Sequence, residues 1–381
     1  MWFARISEQR ARKLAALFSA TTVLLAVVLV GTCWYISRLV ELYNPTRSAV
    51  LPNPPASPLQ VHYRLDVPGR GEIFPALADS APSDSWPVAV LTIVNASDRP
   101  LLQTVSAEIP EWSRRSATPV VVGPHEARAV RINPQLLAQA YQNTEIRQAV
   151  LEISASGPDG PSGYSQTCPV YLHPVSDLYW GRKFSNAQFI ARWVTPHDPA
   201  VIQLVASARK YVARGRLAGY DLPSGDGAQN LVALQVRNEA RAVFQAMQRL
   251  GISYVDSMYT FGNFTGSAER VRLPRETILL SSANCIDVSV AFASAMENLG
   301  IDPVIVIVPG HAFTGVRLGP DSREVLYLDL TVLPDGTFEQ AISRADHWLK
   351  KTPPNRVLTV DVAAARALGI YPIPESASQS S

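Results

Sequence analysis

The chain has 381 residues, enough for about two domains of ordinary size. Its 34 basic and 32 acidic residues give a net charge of +2, which excludes the concentrated positive charge of a nucleic-acid-binding protein. The three cysteines, Cys33, Cys168 and Cys285, indicate no disulfide framework, and the six histidines show no metal-ligand spacing. We therefore expect no nucleic-acid partner, no metal and no cofactor.

The first predicted element is a transmembrane helix at residues 14–37, a stretch without a charged residue. At about 1.5 Å per residue this stretch would cross a hydrocarbon core of about 30 Å. Basic residues concentrate before it, which places residues 1–13 in the cytoplasm and exports the bulk of the chain to the periplasm or the exterior. The sequence thus predicts a single-pass cell-membrane protein, with a cleaved signal peptide or the opposite orientation as alternatives.

A linker and a β-rich region follow the predicted span. Residues 38–58 are predicted to be a linker, because the stretch 43–58 is rich in Pro, Asn and Ser. Short apolar or alternating runs then recur between turn residues through 59–177 and predict a series of strands. The clearest of these runs are 88–94, 118–122, 127–132, 149–153 and 166–172. This spacing favours an immunoglobulin-like β-sandwich, although Cys168 has no partner cysteine there, and we expect a spacer or docking module.

The third predicted region, residues 185–350, mixes helices and strands. Residues 198–214 and 230–250 have helical periodicity, whereas 252–256 and 268–273 are candidate strands. Between these strands lies an aromatic, glycine-rich loop at 257–266, which either walls a cleft or is an ordinary surface loop. Residues 351–381 form a C-terminal tail whose serine-rich end is predicted to be disordered.

The rest of this region is organised around a helix that begins at Cys285. Asn284 is a good N-cap, and Asp287, three residues later, can complete a capping box. The following residues are mostly small or apolar up to Gly300, which predicts a buried helix. In the first turn of a helix the free N–H groups and the dipole favour an anion, so we expect a lowered pKa and a nucleophilic thiolate at Cys285.

A base and a carboxylate follow on predicted strands. Residues 303–308 form a β-branched run, Pro309-Gly310 breaks it, and the next strand opens on His311. A three-residue turn would pair Leu318 with Ser322 and place His311 directly opposite Asp329, with both side chains on one face. Cys285, His311 and Asp329 are therefore the candidate catalytic residues of a cysteine acyl-transfer site.

These contexts resemble the core of the transglutaminase-like superfamily, which shares the papain-like arrangement. The likeness lies in Asn-Cys-Ile-Asp at 284–287, Val-Pro-Gly-His-Ala-Phe at 308–313 and Tyr-Leu-Asp-Leu-Thr at 327–331. Glu269 to Pro274 also resembles the strand that leads to the catalytic cysteine in bacterial relatives. The resemblance implies a Cys–His–Asp triad. The expected fold class is α+β: a transmembrane helix, an all-β immunoglobulin-like sandwich, and a transglutaminase-like domain.

The function expected from this site is that of a cysteine peptidase, amidase or transamidase acting on a protein or peptide. A tetrahedral intermediate needs an oxyanion hole, for which the backbone N–H of Cys285 supplies one donor. Asn284 and Tyr254 are candidates for the second donor, and Asp287 is first a cap and only secondarily an active-site carboxylate. The alternative is a non-catalytic envelope scaffold or peptide-binding protein, which would have no reason to keep the thiol ionised.

Overall fold

The computed structural model describes residues 61–67, 71–78, 87–157, 160–221, 228–255, 267–320 and 322–373. Strands and helices are both abundant in these ranges. The strands are β1 (Val61–Asp66), β2 (Glu72–Ile73), β3 (Ala89–Asn95), β4 (Leu101–Glu108), β5 (Ser116–Val122), β6 (Ala127–Ile132), β7 (Arg147–Gly157), β8 (Gly160–Leu172), β9 (Asp177–Gly181), β10 (Ser253–Tyr254), β11 (Ser267–Arg270), β12 (Ser282–Ala283), β13 (Pro303–Val308), β14 (His311–Arg317), β15 (Val325–Leu328) and β16 (Leu358–Asp361). The α-helices are α1 (Pro75–Ala78), α2 (Pro199–Ala208), α3 (Ala228–Arg249), α4 (Pro274–Leu280), α5 (Cys285–Asn298), α6 (Phe338–Lys351) and α7 (Val362–Ala367).

Two sheets of the N-terminal half enclose a common core. One sheet has the order β1-β3-β6, and the other has the order β2-β8-β7-β4-β5. Residues alternate between buried and more accessible along these strands, as expected where one face of a sheet is covered. Leu91 and Ile93 of one sheet belong to the same buried cluster as Leu151 and Ile153 of the other. The half is therefore a β-sandwich.

The C-terminal half is built on the four-stranded sheet β15-β14-β13-β16, with a helix on each face. Every residue of β13 is buried, which explains its unbroken β-branched sequence. Ile305 and Ile307 share a cluster with residues of α5, whereas Val304 and Val306 share one with Ala345 of α6. The period of two along a strand thus sends alternate side chains to the two helices.

The two halves share one hydrophobic core within the compact unit formed by residues 60–381. The predicted boundary near residues 177–185 falls on β9, which pairs with β11 of the C-terminal half. Likewise, the predicted tail at 351–381 contains β16, which pairs with β13. Residues 358–361 of the predicted tail therefore belong to the central sheet, and the predicted disordered end lies outside the described residues.

The predicted transmembrane helix is a point of correction. In the part of the chain that the structure describes, no helix is both long and apolar enough to cross a membrane. The longest, α3, has 22 residues but carries Arg237, Glu239 and Arg241, whereas the more apolar α5 has only 14 residues and spans about 21 Å. The fold class is corrected to a mixed protein of helices and sheets, and the membrane anchoring and single-pass localisation are set aside with it. Residues 1–58, which contain the predicted span and linker, lie outside the described ranges.

Candidate active site

The N-terminus of α5 is capped in both directions. Asn284 Oδ1 accepts hydrogen bonds from the N–H groups of Ile286 at 3.0 Å and Asp287 at 2.9 Å. In return, Asp287 Oδ2 accepts one from the N–H of Asn284 at 3.1 Å. This reciprocal pair is a capping box, and it fixes Cys285 at the first helical position. The cap uses Oδ1 of Asn284, whereas an oxyanion donor would be its side-chain NH2 group, so the role of Asn284 as an oxyanion donor stays a prediction.

Asp287 also ties the segment after β11 to this helix. Its Oδ1 accepts from the backbone N–H of Arg272 at 2.8 Å, and its Oδ2 pairs with Arg272 Nη1 at 3.2 Å. Burial raises the pKa of Asp287, and the hydrogen bonds from Arg272 and Asn284 oppose that rise. These contacts make Asp287 a structural anchor of the site.

The half-buried thiol of Cys285 lies beside the start of β14. Burial raises the pKa of Cys285 to about 11, and the carboxyls of Glu269 and Asp287 add to the rise. Hydrogen bonds from the backbone of Ala312 and Ile286 favour the thiolate and oppose the shift. The N-terminus of the helix therefore lowers the pKa of the Cys285 thiol, as expected, but burial raises this pKa by more. The thiol is protonated at neutral pH in this arrangement.

His311 and Asp329 are brought together as a buried pair. Their Nε2 and Oδ2 atoms are 2.9 Å apart, and the Asp329 side chain is fully buried. Burial alone would raise the pKa of Asp329, but hydrogen bonds from His311 and Thr331 hold the pKa below its ordinary value. An ionised carboxylate only accepts hydrogen bonds, so Nε2 must donate, and in the neutral ring Nδ1 is left as the acceptor. This is the tautomer that a general base needs.

The strand register differs from the prediction by two residues. Arg317 pairs with Val325 and Thr314 with Leu328, because the turn after Leu318 is longer than three residues. Asp329 therefore follows the end of β15 and caps the short 3-10 helix Leu330–Val332. A shift of two residues keeps every side chain on its predicted face, which explains why Asp329 still reaches His311.

Three further side chains surround this pair, and sequence reasoning missed all three. The Thr331 hydroxyl donates to Asp329 Oδ1 at 2.7 Å, and Arg344 Nε lies 3.2 Å from Oδ2. The indole of Trp348 stacks on the His311 ring with centroids 4.6 Å apart and 25° between the planes. Arg344 and Trp348 are four residues apart on α6, so they lie on the same face of the helix. This spacing is the sequence feature that could have indicated that the two act at one site.

Glu269 is a second carboxyl at the nucleophile end. It lies on β11 and accepts a hydrogen bond from Trp180 Nε1 of β9 at 3.1 Å. Burial raises the pKa of Glu269 to about 7, and the nearby Asp287 carboxyl contributes. The neighbouring Arg270 and Arg272 pair with other carboxylates, Asp177 and Asp287. Among the described residues Glu269 thus has no salt-bridge partner. Glu269 belongs to the stretch that resembles the strand before the catalytic cysteine, but the sequence predicted no role for this side chain.

Tyr254, the other predicted oxyanion candidate, is on the edge strand β10. It pairs in parallel with Ala283 of β12, which directly precedes Asn284. Its side chain is exposed and lines a small crevice with Ala283 and Thr331. The structure therefore places Tyr254 near the cap of α5 and the Asp329 turn, and its role as an oxyanion donor stays a prediction.

Comparisons with known proteins add no identification. No protein-family model matches the chain, and no curated protein matches it. The resemblance to the transglutaminase-like superfamily therefore remains a hypothesis that rests on the residues and geometry described above.

Proposed function

We propose that the protein is a cysteine enzyme that breaks or exchanges amide bonds of a protein or peptide through a thioester. The observation that carries this proposal is the buried hydrogen bond between His311 Nε2 and Asp329 Oδ2. It fixes the imidazole with a free acceptor nitrogen, one residue from the backbone of Ala312, which contacts the sulfur of Cys285. A nucleophile, a base and an orienting carboxylate are the parts of such a site.

The raised pKa of Cys285 shapes the proposed mechanism. Because the thiol is protonated, His311 removes its proton as the sulfur attacks the amide carbonyl, and Asp329 stabilises the imidazolium that forms. A carbon–sulfur bond forms, and the carbon–nitrogen bond then breaks as His311 returns the proton to the leaving amine. Water or a second amine attacks the thioester, and the thiol is restored. The backbone N–H of Cys285 is the proposed oxyanion donor.

The same raised pKa favours a second candidate, a peptide-binding scaffold without catalysis. Such a protein has no need of an ionised thiol, and burial of Cys285 beside Glu269 keeps the thiol neutral. In this alternative the pairing of His311 with Asp329 only stabilises the fold.

Alkylation of the full chain by iodoacetamide, measured against pH with the modified cysteine mapped by mass spectrometry, separates the candidates. We expect His311→Ala to slow the alkylation of Cys285 about tenfold or more because the base is lost, and to leave the rate at Cys168 unchanged. His347→Ala is the matched control, since His347 is an exposed histidine on α6. Equal rates for wild type and both histidine variants would support the scaffold.

A further inference from the structure

A buried histidine lies where the two halves of the chain meet. His173 directly follows β8 of the sandwich, and its side chain is fully buried. Its Nε2 lies 2.5 Å from Glu72 Oε2 on β2, and its Nδ1 lies 3.0 Å from Asp177 Oδ2 at the start of β9. The strand β2 pairs with β8 of the sandwich, whereas β9 pairs with β11 of the C-terminal half. The two ring nitrogens therefore face carboxylates on opposite sides of this boundary.

Arg270 extends the cluster further into the C-terminal half. Its Nε, on β11, donates a hydrogen bond to Asp177 Oδ1 at 3.1 Å. The side chain of Asp177 is 4% exposed and that of Glu72 is 13% exposed, so water reaches neither carboxylate freely. Charged groups thus reach the ring from each of the three strands around it: from β2 and β9 directly, and from β11 through Asp177. With His173 protonated, the cluster contains two cations and two anions.

The hydrogen-bond geometry determines which charge state of His173 satisfies this cluster. An ionised carboxylate only accepts hydrogen bonds, whereas a neutral imidazole has one donor and one acceptor nitrogen. A neutral ring would therefore turn a nitrogen lone pair towards a buried carboxylate oxygen, which leaves that charge without a donor. Protonation makes both nitrogens donors. Burial lowers the pKa of His173, but the hydrogen bonds to Asp177 and Glu72 outweigh burial, and the pKa is raised above its ordinary value.

An aromatic stack crosses the same boundary. Phe74, the residue after β2, stacks on the His173 ring with centroids 4.1 Å apart and 22° between the planes. Phe74 also stacks on Tyr179 of β9 at 5.3 Å. Both Phe74 and Tyr179 are buried. The segment around β2 is therefore held against β9 by these rings and by the charge of one imidazole.

We propose that His173 is a pH-sensitive clasp, which holds β2 of the sandwich against β9 when the imidazole is protonated and releases Glu72 when it is not. Glu72 is the carboxylate to be released, because Asp177 keeps Arg270 as a second cationic partner. Since the pKa of His173 is raised, its stabilising contribution is complete below the ordinary pKa of 6.5 and is lost as the pH rises through the raised value. This inference does not depend on the proposed function.

Hydrogen exchange followed by mass spectrometry measures the opening of the clasp in the full chain. Wild type and Glu72→Gln are compared at the same pH, from about pH 6 to about pH 10, so that the intrinsic pH dependence of exchange cancels. An amide has no charge to leave unpaired and can donate to a neutral ring, so the variant should not respond to loss of the proton. We expect the ratio of wild-type to variant exchange rates in peptides covering residues 72–78 to rise about tenfold, which corresponds to one unit of pKa shift.

The sandwich offers a matched control. His125 and Asp98 form a similar pair, 2.9 Å apart, but on the exposed surface, so His125→Gln should leave exchange in residues 72–78 within about twofold of wild type at every pH. Selective ¹⁵N labelling of histidine measures the proton directly, and the signal of His173 is assigned by its change in Glu72→Gln. We expect both ring nitrogens of His173 to be protonated at neutral pH. A neutral His173 ring at neutral pH, or a ratio of exchange rates that does not change with pH, would overturn the clasp.

Discussion

The two ends of the proposed site have opposite electrostatic character. At the base end, hydrogen bonds from His311 and Thr331 keep the pKa of Asp329 low although it is fully buried, and Arg344 also pairs with this carboxylate. At the nucleophile end, Cys285 is buried beside the carboxyls of Glu269 and Asp287, and its pKa is high. One end is preorganised to hold a charge, and the other is preorganised to avoid one.

This difference teaches how the site would work. Papain-like sites are often described as standing thiolate–imidazolium pairs, which need a low thiol pKa. Here only the base end is ready in the free protein, so the proton would leave Cys285 during attack and not before it. Substitutions at the two ends should therefore have different effects. At the base end they should lower the rate of turnover, and at the nucleophile end they should change the stability of the protein and its dependence on pH.

The largest effect should come from Asp329→Asn at the base end. The amide keeps the shape of the carboxylate, but it no longer stabilises the imidazolium or selects the tautomer with a free Nδ1. We expect turnover of a cleaved peptide to fall by about 10³-fold or more, with little change in KM. Asp346→Asn, an exposed change on α6, is the control and should leave kcat within twofold. A kcat for Asp329→Asn within tenfold of wild type would remove Asp329 from the triad.

At the nucleophile end, Asp287→Ala should cost the most stability. It deletes a buried carboxylate that holds Asn284 and both the backbone and the guanidinium of Arg272. Removing one partner of a buried ion pair costs about 3–5 kcal/mol, which urea denaturation measures as a lower free energy of unfolding. The exposed cap of α6 offers a matched comparison, because Thr337→Ala should cost about 1 kcal/mol. Equal losses for the two caps would contradict the anchoring role of Asp287.

Glu269→Gln should change the pH dependence of stability. The pKa of Glu269 is raised from 4.5 to about 7, so its contribution is fully present below pH 4.5 and is lost as pH rises through 7. A shift of this size corresponds to about 3 kcal/mol. We therefore expect the free energy of unfolding of wild type to fall relative to that of the Gln variant as the pH rises from 4.5 to about 7. The alkylation profile of Cys285 should also move to lower pH in the variant, because one carboxyl that raises the thiol pKa is gone. Parallel stability curves for the two proteins would contradict the raised pKa.

The sequence predicts the local parts of this site well. The capping box around Cys285 and the placing of His311 and Asp329 on one face follow from short-range rules, namely cap chemistry and strand periodicity. The predicted register was wrong by two residues, but side chains two residues apart on a strand lie on the same face, so the pairing of His311 with Asp329 was still predicted. The predicted strand at 127–132 likewise matches β6, since its turn residues flank it directly.

The parts that the sequence did not predict depend on distant packing. Glu269 acquires its role only because β11 pairs with β9, which brings Trp180 beside it across 89 positions of the chain. The strand β16 joins the central sheet from a region predicted as tail, since nothing local shows that β13 has a free edge there. The expected low pKa of Cys285 failed similarly, because burial is a property of the whole fold.

The smallest effect is expected from substitution of Trp348, whose indole lies over the imidazole of His311. Trp348 stacks on one face of the His311 ring, which donates a hydrogen bond to Asp329. An aromatic pair of this kind contributes about 0.5–1.5 kcal/mol, so Trp348→Leu should lower kcat about 2- to 13-fold. Trp348→Phe keeps a ring over the imidazole and should retain most of the rate. If the Leu and Phe variants lose activity equally, stacking is not what matters. The indole then acts through its size or through its contact with Lys351, whose Nζ lies 5.3 Å from the centre of the ring. If neither variant loses activity, the stacking of Trp348 on His311 does not contribute to the proposed proton transfer.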